Sequence, residues 1–270
     1  MENRNLKIGV IGLGLIGGSV LKSLNVLGYE TIGISKSSHK KAAKFCTKSS
    51  SDMKDIKDCD IVFVCSKMSD VLGVLDELEN IVQKDCIVTD VSSLKRFVNN
   101  KKRPYNFIGG HPMAGTEFSG FEHSFAELFC NAKWILNKSN KTLEKLIKEM
   151  GAKPIIMDEI THDKYACLIS HLPMLISTAL FDTAMSADEG AALKIASSGF
   201  RDTTRLSLTS EALALDMLEL NSDNFDIFID EFIKKLKALN NMPKMEFIKK
   251  LNSIQKIRCS MYDENGKNKL

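Results

Sequence analysis

Three glycines at fixed spacing, Gly12, Gly14 and Gly17, separate an apolar run from a helix-like run, and nothing else in the chain limits its fold as strongly. The residues before them, Lys7-Ile8-Gly9-Val10-Ile11, read as a short buried strand. After them, Val20, Leu21, Leu24 and Leu27 recur at helical spacing, and Gly28 stands where a C-terminal cap is expected. Each glycine has its own physical use: Gly12 for a tight turn, Gly14 for close approach of a phosphate to the backbone, Gly17 for contact between helix and strand. The helix that follows offers free N–H groups and partial positive charge to a pyrophosphate. Gly12, Gly14, Leu15, Ile16 and Gly17 are therefore expected to cradle a dinucleotide.

Runs at 31–34, 60–65, 87–91 and 105–110 read as further strands, and those at 133–136 and 153–157 as closing the same sheet. Their alternation with helix-compatible stretches predicts an α/β fold, with a Rossmann-type doubly wound sheet over residues 1–157. The pattern then changes. Tyr165, Leu168, Ile169 and Leu172 follow helical spacing in a helix starting near Thr161, and Pro173 should kink it. Ile229, Phe232, Ile233 and Leu236 repeat the spacing, as do Phe247, Ile248, Leu251 and Ile254. Residues 158–270 are accordingly expected to form an all-helical domain whose long amphipathic helices pair in a homodimer.

Composition excludes several classes. Lys and Arg number 37 against 34 Asp and Glu, so the formal charge of +3 makes no case for nucleic acid. The lysines gathered at Lys36, Lys40, Lys41, Lys44 and Lys48 read as a solvated helix face. None of the seven cysteines sits at C-x-x-C spacing, so reduced, mostly buried thiols in a cytoplasmic protein are expected, without a metal site. No signal-peptide pattern and no run apolar enough to span a bilayer is read, so no membrane partner is expected.

The strand at 31–34 ends in Ser35-Lys36-Ser37-Ser38. An NAD site carries Asp or Glu there, about 20 residues beyond the glycines, to bond the ribose 2′-hydroxyl. Here hydroxyls and an ammonium replace the carboxylate, which favours a 2′-phosphate, and NADP is expected, with Ser35, Lys36 and Ser37 as its readers. Cys65, Ser66 and Ser92, at the ends of the next strands, complete the expected cofactor site, while His39 reads as an exposed helix residue.

Four further segments stand out: Thr89-Asp90-Val91-Ser92-Ser93-Leu94-Lys95, Gly109-Gly110-His111-Pro112-Met113-Ala114-Gly115-Thr116-Glu117, Ile169-Ser170-His171-Leu172-Pro173, and Ser197-Ser198-Gly199-Phe200-Arg201-Asp202-Thr203-Thr204-Arg205. The first two begin at carboxyl ends of strands, where doubly wound sheets bind ligands. A histidine between two glycines and a proline at such an edge is poorly explained as a core residue. Together the segments resemble the prephenate/arogenate dehydrogenase family, over Lys7 to about Ile257. The resemblance implies a Rossmann domain joined to a helical dimerisation domain, and the oxidative decarboxylation of a 1-carboxy-4-hydroxycyclohexa-2,5-diene to a phenol. It further implies His111 as the base that accepts the C4 hydroxyl proton, Ser93 as a hydroxyl bonding nearby, and Arg205 as the binder of a substrate carboxylate. Ser170, His171, Thr116 and Glu117 resemble residues that line or gate the pocket.

Many family members that use prephenate read Ser-His-Leu-Pro-His, and here Met174 takes the last place. In that respect, and in Ser35-Lys36, the chain is more similar to NADP-linked arogenate dehydrogenases of cyanobacterial and plant type. Prephenate or dual specificity is the alternative. Arg201 reads as a local partner of Asp202 or Glu211, and His123 and His162 as surface residues or neighbours of a helix start. A β-hydroxyacid or imine reductase would share the architecture, but the β-hydroxyacid type uses a helical-domain lysine as its acid/base, and no lysine here sits in a motif as strong as that around His111. A non-enzymatic NADPH sensor would have no need of His111 together with Arg205.

Overall fold

Apolar strands become a parallel sheet when helices cover both of its faces. A computed structural model describes residues 6–116 and 118–262, and Glu117 lies outside the described residues. Strands β1 (Lys7–Ile11), β2 (Glu30–Ile34), β3 (Lys48–Ser50), β4 (Ile61–Val64), β5 (Ile87–Asp90) and β6 (Asn106–Ile108) form one sheet in the order β3-β2-β1-β4-β5-β6, every pair parallel. This is the Rossmann order, and the chain reverses direction of winding between β1 and β4. Alternation along β4 divides the core. Phe63 packs on one side with Leu21 and Leu24 of helix α1 (Leu15–Val26). Val62 and Val64 pack on the other, with Val71, Leu75 and Leu78, after the short helix α2 (His39–Ala42), in helix α3 (Met68–Leu78). Helix α1 stops where glycine was expected to stop it. Gly28 has φ +80°, its N–H bonds Asn25 O, and the N–H of Tyr29 bonds Leu24 O.

The runs at 133–136 and 153–157 do not close this sheet. β8 (Lys133–Leu136) pairs antiparallel with β7 (Gly110–Pro112) and parallel with β9 (Lys153–Ile156) in a separate sheet, with helix α4 (Lys141–Glu149) between β8 and β9. The reason is packing. Trp134 is buried edge-on to Phe63, with ring centroids 6.1 Å apart, so the small sheet covers one face of the large one. An apolar strand pattern fixes which residues point inward but leaves the pairing partner open.

Helix α5 (Glu159–Ala166) begins two residues before the expected Thr161, because the Asp158 carboxylate accepts bonds from the N–H groups of Ile160 and Thr161. One wide π turn, Cys167–His171, then leads into α6 (Leu172–Ser186). Pro173 carries no N–H and its ring would crowd the carbonyl of Ile169 in a regular helix. The expected kink takes the form of the wider turn, with the N–H of Leu172 bonded to Cys167 O. Helix α5 and the π turn bury His162, Asp163, Ala166, Cys167 and His171. Tyr165 and Ile169, on the apolar stripe read from spacing, are 48% and 63% exposed.

Short α7 (Ser198–Thr204), the turn Arg205–Leu208 and α8 (Glu211–Leu220) follow. The chain divides into two compact units, Met1–Ser222 and Asp223–Leu270. The second contains most of α9 (Ser222–Asn240) and all of α10 (Lys244–Met261), which buries none of its residues and exposes Phe247, Ile248, Leu251 and Ile254.

Two expectations need correction. The stretch Glu159–Ile195 is long and apolar enough to cross a membrane by length and composition, although none was read from the sequence. In this fold it is interrupted by the π turn and carries buried Asp163, which bonds Arg96. Of the cysteines, expected to be mostly buried, only Cys59, Cys86 and Cys167 are buried. Burial pushes the thiols of Cys59 and Cys86 up to about 12.

Candidate active site

The glycine turn has the geometry its spacing implied. Gly12 has φ +86°, and a Cβ there would lie 2.6 Å from Cys65 O. A Cβ on Gly17 would overlap Gly12 O at 2.0 Å. A Cβ on Gly14 would meet nothing within 4 Å, so protein packing does not demand this glycine, and its backbone is open to the approach of a ligand. Helix α1 has no acidic residue in its first turn and no side-chain cap, which leaves its N–H groups for an anion. Leu15 and Ile16 open that helix. The hydroxyls of Ser66 and Ser92, just beyond β4 and β5, are buried and bond to no described residue. These groups fit a dinucleotide. Beyond β2, Ser35 Oγ accepts a bond from Ser38 N at 3.0 Å, and Lys36 and Ser37 are exposed. His39 is half-buried rather than exposed, and its Nδ1 lies 2.9 Å from Ser35 O, steadying the same turn.

At the end of β5 the sequence reading missed a buried ion pair. Lys95, completely buried, donates from Nζ to Asp90 Oδ2 and to Gly110 O, both at 2.5 Å. Asp90 also accepts from the N–H of Gly110 at 3.0 Å and of Ser92 at 2.9 Å. Gly110 permits this clasp, since a Cβ there would lie 2.7 Å from Asp90 O. The consequence is that β7, which carries His111, is tied to the carboxyl end of β5. Desolvation lowers the Lys95 ammonium pKa, and the Asp90 carboxylate opposes that change.

His111 has a partner that no motif announced. Its Nδ1 lies 2.9 Å from His162 Nε2, and His162 Nδ1 lies 2.7 Å from Asp163 Oδ1. His162, read from the sequence as a surface residue, is buried. Asp163 also accepts from the N–H of Lys95 at 2.7 Å, the N–H of Arg96 at 3.0 Å and Arg96 Nε at 3.2 Å. Arg96 Nη2 reaches Asn221 Oδ1 at 2.8 Å, and Asn221 Nδ2 donates to Asp163 O at 2.9 Å and lies 3.4 Å from His171 Nδ1. Burial works against ionisation of Asp163, but the bonds from His162 and from the amides of Arg96 and Lys95 prevail and hold its carboxyl below the usual range. Burial pushes the His111 imidazole well below its ordinary value, and His162, Lys95 and His171 push the same way. Burial also brings His171 down to about 4, against the pull of Asp163. Both rings are thus neutral at pH 7. The sequence signal for this network was the His162-Asp163 pair in the first turns of the helix that Asp158 caps.

The other expected site residues are more loosely held. Ser93 is half-buried and donates from Oγ to Met68 Sδ at 3.2 Å. Thr116 is exposed and its Oγ1 accepts from Phe118 N, while Glu117 lies outside the described residues. Ser170 is half-buried in the π turn. Arg205 is exposed at the start of its turn, which is anchored by a bond from Ser207 N to Ser177 Oγ on α6. Arg201 pairs with Asp202, on the surface. Met174 is buried.

A neutral imidazole fixed at a sheet's carboxyl edge can take a proton from a bound hydroxyl. The glycine turn two strands away can hold a dinucleotide able to accept hydride.

Comparison with known proteins points to one dehydrogenase family. Residues 22–155 match the family model described as "Prephenate dehydrogenase, nucleotide-binding domain", and residues 158–256 match "Prephenate dehydrogenase, dimerization domain". The chain is 31% identical to a prephenate dehydrogenase of Bacillus subtilis, over 87% of this chain and 69% of that protein. It is 26% identical to a cyclohexadienyl dehydrogenase of Zymomonas mobilis, over 86% of each. Among solved structures it resembles Synechocystis arogenate dehydrogenase, with TM-score 0.82 and 29% identity over 94% of this chain and 99% of that one. It also resembles prephenate dehydrogenase from Aquifex aeolicus in complex with hydroxyphenyl propionate and NAD+, with TM-score 0.83 and 26% identity over 96% and 99%.

Proposed function

The chain belongs to the prephenate/arogenate dehydrogenase family, and on that premise we propose that it is an NADP-dependent arogenate dehydrogenase that forms tyrosine by oxidative decarboxylation. The observation that carries the reading is His111, a neutral, half-buried imidazole clasped to the carboxyl edge of the sheet that bears the glycine turn.

NADP, when bound, supplies the acceptor for the hydride that leaves substrate C4 with its electron pair. His111 takes the proton of the C4 hydroxyl as that carbon becomes a carbonyl. The ring carboxylate then departs as CO2, and the electrons of the broken C–C bond complete the aromatic ring. The proton returns from His111 to the phenolate oxygen, so the imidazole is regenerated. Arg205, exposed and bonded to no described residue, is suited to grip a substrate carboxylate through its planar fork. Ser93 would turn its hydroxyl from the Met68 sulfur, a weak acceptor, toward the substrate hydroxyl. Thr116, Glu117, Ser170 and His171 are assigned to the pocket wall by resemblance.

NADP is favoured because Ser35, Lys36 and Ser37 follow β2 where a carboxylate would otherwise repel a 2′-phosphate. Arogenate is favoured by apolar Met174. Prephenate is the second reading, favoured by the Bacillus subtilis relative's activity and by the lack of an identified group for arogenate's ammonium. The exposed apolar residues of α10, within a region matching a dimerization domain, support a homodimer, and the enzyme is assigned to the cytoplasm.

The test is reduced-cofactor formation by purified protein with arogenate or prephenate, each with NADP or NAD. Turnover of arogenate with NADP is expected. A prephenate preference overturns the role of Met174, and no turnover in any combination overturns the enzyme and brings forward an NADPH sensor. Ser35→Asp should move preference toward NAD, and an unchanged ratio removes Ser35 from the cofactor site.

A further inference from the structure

We propose that His162 is a positioning residue that fixes the tautomer of His111, through a proton-relay chain running His111–His162–Asp163. The proposal rests on the assignment of His111 as the base, and it concerns groups that the resemblance did not mark.

The direction of each bond follows from its far end. Asp163 is an ionised carboxylate that accepts from two amides and from Arg96, so it can only accept from His162. His162 must donate from Nδ1. In neutral His162 the other nitrogen, Nε2, is then an acceptor, and His111 must donate to it from Nδ1. The proton of neutral His111 is thereby held on Nδ1, and the lone pair sits on Nε2, the nitrogen left for substrate. This direction holds with His162 in its neutral form, whose Nε2 carries a lone pair, and the charge of Asp163 is met by Arg96.

The relay matters because a base with its proton on the wrong nitrogen cannot accept another without first releasing one. It also spreads the charge that forms when His111 takes up the hydroxyl proton. That charge lies on a ring whose Nδ1–H already points at the His162 lone pair, with the Asp163 carboxylate behind it. His162 touches neither substrate nor cofactor in this account, and its effect runs through His111.

Two substitutions separate this role from packing. His162→Leu removes the acceptor. His162→Gln offers a carbonyl oxygen near the place of Nε2 and restores it. His162→Leu should lower kcat about a hundredfold with KM for acid and cofactor within about threefold, and His162→Gln should recover at least about tenfold of that loss. Unchanged kcat in His162→Leu, or equal damage in both variants, overturns the proposal. An independent readout does not need turnover or a stable His162 variant. In wild-type protein labelled with ¹⁵N-histidine, His111, assigned by loss of its signals in His111→Asn, should show a protonated Nδ1 and a bare Nε2 at pH 7.5. The opposite tautomer overturns the relay. A wild-type protein inactive with both acids and both cofactors overturns the proposed function instead, and the nitrogen spectrum still decides the relay.

Discussion

The two ends of the candidate site are built on opposite principles. At the His111 end, Lys95, Asp90, Arg96, Asp163, His162 and Asn221 bond one another through short contacts, in a part of the chain shielded from water. At the other end, Arg205, Thr116 and Ser93 are exposed or half-buried. Thr116 accepts from a neighbouring amide, Ser93 meets a methionine sulfur, and Arg205 bonds no described residue. A buried polar group must be satisfied before any ligand arrives, because desolvation without a partner is costly. An exposed group can wait in water for its ligand. Under the proposed function the difference would divide the work: proton transfer to a preorganised region, and substrate capture to one whose groups gain their partners on binding.

Substitutions at the two ends should therefore fail differently. His111→Asn should reduce kcat about a thousandfold, near 4 kcal/mol of barrier, with NADP binding unchanged in a fluorescence titration. A variant that loses less than tenfold breaks the assignment. Lys95→Met leaves Asp90 buried without its counter-charge and should cost about 3–5 kcal/mol of stability, a fall of roughly 10 °C in Tm by calorimetry. If the Tm is unchanged, the clasp is not what holds β7. Acid should weaken the same region. His171 is held neutral down to about 4 in the folded chain but takes its proton near 6.5 when unfolded, so its contribution is complete above pH 6.5 and is lost as pH falls through about 4. Urea denaturation from pH 7 to pH 4 should show a decline on the order of 3 kcal/mol from this group, with His111 adding in the same direction. The smallest effect is expected at the open end. Arg205→Ala should raise KM for the acid about tenfold to a hundredfold, or about 1.4–2.8 kcal/mol, with kcat nearly unchanged. A large loss of kcat with unchanged KM would erase the distinction between the ends.

What was legible in the sequence divides along a similar line. The glycine turn could be read because its requirements lie within six residues, and the structure shows each glycine under the steric constraint, or in the open space, that its place implied. The helical character of the chain beyond β9 was legible for the same reason. Pairing across long separations was not. Lys133-Trp134-Ile135-Leu136 looks the same as a strand in either sheet, and only Trp134 meeting Phe63 across the core decides. His162 was misread because its partner stands 51 residues earlier, and because polar residues define the buried face of its helix. The apolar spacing of Tyr165, Leu168 and Ile169 pointed to the outer face. Where a hydrogen-bonded network anchors a helix, the stripe that hydropathy marks as internal can be left for another surface.

The π turn at Cys167–His171 settles a matter of phase. In an uninterrupted α-helix each residue advances about 100° around the axis, so His171, eight residues beyond Asp163, would stand about 80° from it. The extra residue that a π turn admits sets the later chain back by about one such step, to within roughly 20° of Asp163. That alignment lets the single amide nitrogen of Asn221 reach both Asp163 O and His171. A chain shortened by one residue inside this turn would keep its helix and its composition, yet it would swing His171, and the leading turn of α6 after it, off the axis that the network defines.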